Sequence, residues 1–309
     1  MDFDLGAAAR LPPNIHFGTS SWKYPGWKGS VYLNDYRSKR QFQQQCLDEY
    51  VEFPWFSCVG LDSTYYKPPS SDFMESLALK TPSNFKWLSK VWERITIPNY
   101  SSAKRYGENA GKANVDFLDP VVFRDLFLAP FYAADVRPKT GPFLLQFQPL
   151  WSATPLVVDG FLDRLEAFFS ALPNDFRYAV ELRTPQALTP RYFGILNDHG
   201  ASHCFNHWGG MPPLVEQMRA AAAGGGIDAK WYAARLLTPL GVGYTESVDR
   251  FAPYERLQQV QSGMRRDVLR LARRALDRGA EAWILVNNRI EGNAPQTIDA
   301  LGRAIVADL

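Results

Sequence analysis

The sequence predicts a single-domain α/β fold, a TIM-like (β/α)8 barrel with its pocket at the C-terminal ends of the strands. Three observations lead there. Eight short apolar runs recur along the 309 residues, most of them separated by stretches of helical periodicity. That alternation builds a parallel sheet with helices outside it. No Gly/Ser linker divides the chain, and its length suits one barrel with insertions. Polar residues also gather at one end of several strands, where barrels of this kind place their active sites.

The expected strands are IHFGTSS (15–21), CVGLDST (58–64), FKWLSKV (85–91), PFLLQFQ (142–148), RYAVELR (177–183), SHCFNHW (202–208), WYAARLL (231–237) and AWILVNN (282–288). Helices are expected over 41–51, 70–81, 119–131, 158–172, 211–223, 254–279 and 297–309. Ser71 is the expected N-cap of the second, with Glu75 near its first turn. In the fourth, apolar residues at 161, 162, 165, 168, 169 and 172 share one face. Residues 1–14 read as a flexible tail before a domain covering 15–309. The polar stretch 92–119, with SSAKRYGENAGKAN at its centre, reads as a lid or mobile loop.

Charge is nearly balanced, with 34 Lys and Arg against 32 Asp and Glu. That balance gives little support for a nucleic-acid partner. The start, MDFDLGAAARLPP, has neither a cationic nor an apolar leader region, and no run approaches the roughly 18 apolar residues of a membrane span. Cys46, Cys58 and Cys204 are odd in number and widely spaced, as expected of reduced, buried thiols. A cytoplasmic protein without membrane contact is expected.

Side chains alternate along a strand, so parity separates interior from helix-facing residues. On the fifth strand Tyr178, Val180 and Leu182 suit the helix layer, and Ala179, Glu181 and Arg183 point inward. On the fourth, Phe143, Leu145 and Phe147 go outward while Gln146 and Gln148 go inward. Asp62, Lys90 and Arg235 follow the same rule, and one of Asn287 and Asn288 must face in. Arg177 lies at the opposite end and reads as structural. The inward charges, Asp62 and Glu181 against Lys90, Arg183 and Arg235, leave one excess positive charge. That mouth suits an anionic, polyhydroxylated ligand held by a guanidinium fork. Glu181 is the expected general acid or base. Lys90 is its electrostatic partner or second acid, and Asp62 the second carboxylate. Arg183, Arg235, Gln146, Gln148, Asn287 and Asn288 are the expected binding residues.

The segment FGTSSWKYPGWKG (17–29) leaves the first strand and displays Trp22, Tyr24 and Trp27. These form either an aromatic wall at the mouth, suited to sugar rings or bases, or a packed plug under the loop. His199, His203 and His207 are spaced by four, but Gly200 breaks a helix there. On a strand, His203 and His207 stand about 13 Å apart, too far to share one ion. No metal or cofactor is therefore expected. HExxH, GxxxxGK[ST] and GxSxG are absent. The GGG at 224–226 ends a helix, and MRRDVLRLARRALDR reads as a solvated outer helix.

Six ordered motifs resemble the YecE-like family, also known as domain of unknown function 72, over about residues 15–300. They are FGTSSWKYPGWKGSVY, VGLDSTYYKPPS, NFKWLSKVW, TGPFLLQFQP, YAVELRTPQAL and VNNRIEGNAPQTIDAL. Thr64 and Tyr66 of the second motif join the expected binding set. The sixth strand and the 238–253 loop match the family poorly. Trp92 stands where the family places a proline, and the family's Trp after the fifth-strand motif is absent. The resemblance implies a TIM-barrel-like fold and carries no reaction with it. The residues themselves point to acid–base chemistry, hydrolysis or isomerisation, on a sugar phosphate or nucleotide. Two other readings stay open. One is a metal-dependent nuclease or sugar-isomerase-like barrel, and the other a non-catalytic ligand- or nucleic-acid-binding protein.

Overall fold

Strand propensity and alternating burial fix the centre of the molecule. In a computed structural model, which describes residues 3–150 and 152–309, all eight expected strands form. They are β1 (Ile15–Thr19), β2 (Cys58–Leu61), β3 (Lys86–Ser89), β4 (Phe143–Gln146), β5 (Tyr178–Glu181), β6 (Ser202–His207), β7 (Trp231–Leu236) and β8 (Glu281–Val286). All are parallel, in the order β3-β2-β1-β8-β7-β6-β5-β4. The barrel closes between β3 and β4 through two bonds beyond the regular ladder. Gly141 N donates to Trp87 O at 2.8 Å, and Val91 N to Leu144 O at 2.9 Å.

Eleven α-helical segments surround the strands among the described residues. They are α1 (Leu5–Ala8), α2 (Lys39–Glu52), α3 (Ser71–Lys80), α4 (Glu93–Thr96), α5 (Pro120–Val122), α6 (Pro155–Ser170), α7 (Pro190–Asp198), α8 (Leu214–Ala223), α9 (Tyr244–Phe251), α10 (Ser262–Asp277) and α11 (Ala294–Ala307). The third expected helix begins at α5 but runs on as a π-helical stretch over Phe123–Leu128 and a 3-10 turn to Tyr132. Ser70 caps α3, its hydroxyl accepting from Phe73 N, so Ser71 is the first helical residue and not the cap. The expected helix over 254–279 forms only from Ser262, while α7 and α9 arise where none was expected. Gly224 ends α8 through its bonds to Ala220 and Ala221. The cationic helix α10 buries Val268, Leu271 and Ala275 and pairs outer arginines with acids, Arg270 with Asp267 and Arg273 with Asp308. Among the described residues, no helix is long and apolar enough to cross a membrane.

The segment before β1, read from sequence as a flexible tail, carries α1. Asp4 N donates to Asp299 on α11 at 2.9 Å, and Phe3 packs edge-on against Phe53. A buried carboxylate acceptor and an aromatic pocket hold this short stretch against the barrel.

Parity works as alternation requires. Phe143, Leu145, Val180 and Ile284 join the large core beneath the helices. A separate inner cluster holds Cys58, Leu88, Leu144, Ala179, Cys204, Ala233, Trp283 and Leu285. Below it, His16 stacks on Trp283 with centroids 3.8 Å apart, and Arg177 pairs with Glu281. Burial lowers the His16 pKa to about 4, so the bottom of the barrel holds a neutral imidazole at pH 7.

The aromatic segment after β1 divides three ways. Trp27 is fully buried, stacks on Tyr32 and Tyr50, and donates from Nε1 to Asn288 Oδ1 at 3.1 Å. It is the plug and not part of a wall. Trp22 turns away from the mouth to line a groove with Leu47 and Phe73, on α2 and α3. Only Tyr24 stays at the mouth. Asn288, expected to bind ligand, is a clamp, since its Oδ1 also caps Ala294 N at 2.8 Å. Replacing Asn288 by Ala strands the Trp27 N–H in the core. We expect a loss of about 1–3 kcal/mol in urea denaturation, and unchanged stability would contradict the clamp.

Candidate functional site

Two residues beyond the inner apolar layer, the inward positions become Lys90, Gln146, Glu181, Asn206, Arg235 and Asn287. Strand β2 carries Gly60 at this level, where a Cβ would meet Leu285 Cδ1 and Ser20 backbone at 3.1–3.2 Å. Its polar residue, Asp62, comes one step later in a tight turn. Every strand but β1 thus sends a charged or amide side chain to the same end, and β1 is followed by Ser20.

Glu181 is the centre. It is completely buried, and both of its oxygens are taken. Arg183 donates from Nη2 to Oε1, and Arg235 from Nη1 to Oε2 at 2.7 Å. Burial alone would raise its pKa. The two guanidinium groups and Lys90 outweigh that and hold the carboxyl at about 2. Gln146 Oε1 accepts from both arginines, at 3.3 and 3.2 Å. Arg235 also donates from Nη2 to Asp62 Oδ1 at 3.0 Å. Burial opposes the charge on Arg235, but Glu181 and Asp62 more than offset it and raise its pKa.

Arg183 is less satisfied. It is only 8% exposed, yet its Nε and Nη1 have no partner. Its guanidinium stacks 4.4 Å from the ring centre of Trp208, and burial lowers its pKa. The Lys90 Nζ sits 3.8 Å over the Tyr65 ring and makes no hydrogen bond or ion pair among the described residues. Burial lowers its pKa to about 8. Asp62 and Glu181 oppose that shift, and Arg235 and Arg183 add to it.

The other candidates lie around this cluster. Tyr24 is half-buried, meets Tyr254 edge-on, and lies close enough to Asp62 and Arg289 to feel their charges. Burial raises its pKa to about 12. Gln148 is exposed and reaches the Tyr65 hydroxyl at 3.4 Å. Asn287 caps Arg289 N. Thr64 is not at the surface of the site. It ties strand ends together by donating to Leu61 O and Lys90 O, at 2.7 and 2.6 Å. Tyr66 is exposed beneath Arg105.

Three contributors were not singled out from the sequence. Tyr65 lies in the quoted STYY stretch, but nothing local marks it as the platform for Lys90. Asn206 on β6 and Trp208, the residue just after that strand, share inward parity, so alternation alone could have found them. Asn206 Oδ1 is buried without a partner. The spaced histidines are structural. His203 bonds Tyr192 and Gln217, His207 bonds Thr238 O, and burial lowers both pKa values.

A depressed carboxyl pKa contributes stability above the unfolded value, and that contribution is lost as pH falls through the folded value. For Glu181 the window runs from about 4.5 down to about 2. Glu181→Gln should cost about 3–5 kcal/mol at pH 7 by leaving two buried cations uncompensated. Its stability should also fall less than the parent's between pH 5 and pH 2. Parallel acid limbs in denaturant titrations would refute the assignment.

The sequence matches the family described as protein of unknown function DUF72 over residues 16–308. A crystal structure of a DUF72 family protein from Enterococcus faecalis aligns with TM-score 0.63 at 17% identity, covering 96% of each chain. One from Thermotoga maritima aligns with TM-score 0.61 at 20% identity, covering 96% of this chain and 99% of the other. No curated protein matches the sequence. The match along nearly the whole length, on a barrel of the same form, makes this chain a member of the DUF72 family.

Proposed function

We propose that this barrel is an enzyme that seats an anionic group on Arg183 and uses Lys90 for proton transfer. Its ligand would be a small sugar phosphate or nucleotide. The observation that carries this reading is the Arg183 side chain. Glu181 and Trp208 fix its plane, while two of its donors point to no acceptor. A buried, unpaired donor costs about 1–3 kcal/mol, which an oxyanion in that position relieves.

Lys90 supports the chemical half of the reading. With a pKa of about 8, both its forms are accessible near neutral pH, which suits a general acid or base. Glu181, the expected acid–base group from sequence, fits a positioning role better. Its oxygens are occupied and its proton is gone throughout the physiological range. Asp62 keeps one oxygen without a partner and is the second proton carrier at hand. Ring faces at the rim, Tyr24, Tyr66 and Tyr244, suit a sugar or base. The metal-dependent alternative needs three or more converging ligands, and no such group of His, Cys, Asp or Glu occurs among the described residues. For the non-catalytic alternative, Lys90→Met is decisive once a turnover assay exists, because a pure binder has no rate to lose.

Inorganic phosphate should raise the melting temperature, by the equivalent of about 2.7 kcal/mol at 100 times its dissociation constant. Arg183→Lys should weaken that effect although charge is kept, because the fork geometry is lost. Equal stabilisation of variant and parent would remove the anion site.

The 92–119 segment belongs to this proposal as a lid. Its base is anchored: Asn114 donates to Arg94 O and Ile97 O, both at 2.7 Å. Its tip reaches the rim, where Arg105 pairs with Glu93 at 2.7 Å and covers Tyr66. Gly107, at φ +53°, supplies a bend there. Amide exchange at 101–112 should slow when phosphate is added, and unchanged exchange would argue against a lid.

A further inference from the structure

We propose that Lys90 is a nucleophile that forms an imine with an aldehyde or ketone whose phosphate or carboxylate sits on Arg183. This rests on the reading of Arg183 as the anion site. Three features of geometry lead to it. The Lys90 amine lies on a ring face and not against a carboxylate, so no acceptor locks its proton or blocks its lone pair. The carboxylates that could have done so are held elsewhere, Glu181 by both arginines and Asp62 by Arg235. Lys90 and Arg183 also stand on strands separated only by β4, to which Lys90 is bridged through Leu144. Two strand spacings and a register offset of four residues put their backbones about 16 Å apart, a gap that their two long side chains and a short phosphorylated or carboxylated carbon chain span together.

The chemistry balances without a further reactant. The neutral Nζ lone pair attacks the carbonyl carbon, and the π pair moves to oxygen, which takes a proton while the nitrogen gives one up, leaving a neutral carbinolamine. That hydroxyl leaves with a second proton as water, and the nitrogen lone pair forms the C=N bond of the iminium. Asp62, through its free oxygen, is placed to pass these protons. The iminium then withdraws electrons from the adjacent carbon, which eases proton abstraction there and makes isomerisation or carbon–carbon cleavage accessible. Asp62, Glu181, Arg183, Arg235 and Tyr65 are the groups that face Lys90, and adduct formation should rise with pH as the amine deprotonates near 8.

The test uses the full chain with glycolaldehyde phosphate and sodium cyanoborohydride, followed by peptide mapping in a mass spectrometer. Lys90 should be the dominant adduct, formed at least about ten-fold faster than with uncharged glycolaldehyde, a preference worth one charged contact. Inorganic phosphate should protect it, and Lys90→Arg should abolish it while keeping the fold. Adducts spread over surface lysines at similar rates with both aldehydes would overturn the proposal. If phosphate still stabilises the parent through Arg183 while Lys90 stays unlabelled, the imine is wrong and the anion site stands. If neither effect is seen, both fail.

Discussion

A carboxylate with no solvent exposure, gripped by two guanidinium groups, is the constraint around which this barrel is arranged. Taking three charges out of water costs several kcal/mol per ion unless their geometry is close to ideal. Glu181 achieves that by giving one oxygen to each arginine, while Gln146 spans the two. The arrangement ties β4, β5 and β7 together inside the barrel, and through Asp62 it reaches the end of β2. Breathing of the barrel mouth would separate these charges, so the mouth is stiff around this cluster. The same grip sets the charges. Arg235 spends both of its terminal nitrogens on carboxylates, Arg183 leaves Nε and Nη1 without partners, and the pKa of Lys90, buried beside them, is lowered chiefly by that burial.

The barrel was legible because alternation is a local property. Leu144, Ala179 and Cys204 had to share a face with Gln146, Glu181 and Asn206, whatever else surrounded them. Asp62, Lys90, Gln146, Glu181, Arg183 and Arg235 could therefore be assigned to one end without knowing their partners. What alternation could not show is who bonds whom. Glu181 reads from sequence as a proton-transfer group, and only the crossing of Arg183 and Arg235 upon it shows a carboxylate with nothing left to exchange.

Aromatic residues mark the other limit. Trp22, Tyr24 and Trp27 lie within six positions, and no periodic element orders them, so spacing carried no information about direction. Their fates depend on distant partners. Trp27 is fixed by Asn288 from the end of β8, Trp22 by α2 and α3, and Tyr24 by Tyr254. Helices α7 and α9 were missed for a related reason, since both are short and begin beside Pro or Gly, which read as turns. Trp208 was within reach of parity. The histidines beside it, His203 and His207, carry the more conspicuous spacing, yet their hydrogen bonds are entirely internal.

The closed bottom of the barrel has its own consequence. His16, Trp231 and Trp283 fill the lower interior, and Arg177 and Glu281 bar its rim. With that end filled, the polar cluster is approached only from the C-terminal ends of the strands. Water displaced by an arriving molecule must leave by the path that molecule uses, and whatever is released must do the same. A product that retains its anionic group still fits the guanidinium it is leaving. For the enzyme proposed above, turnover would then be governed by how loosely the departing species is held, and a grip on the anion that is too tight would slow the cycle at its last step.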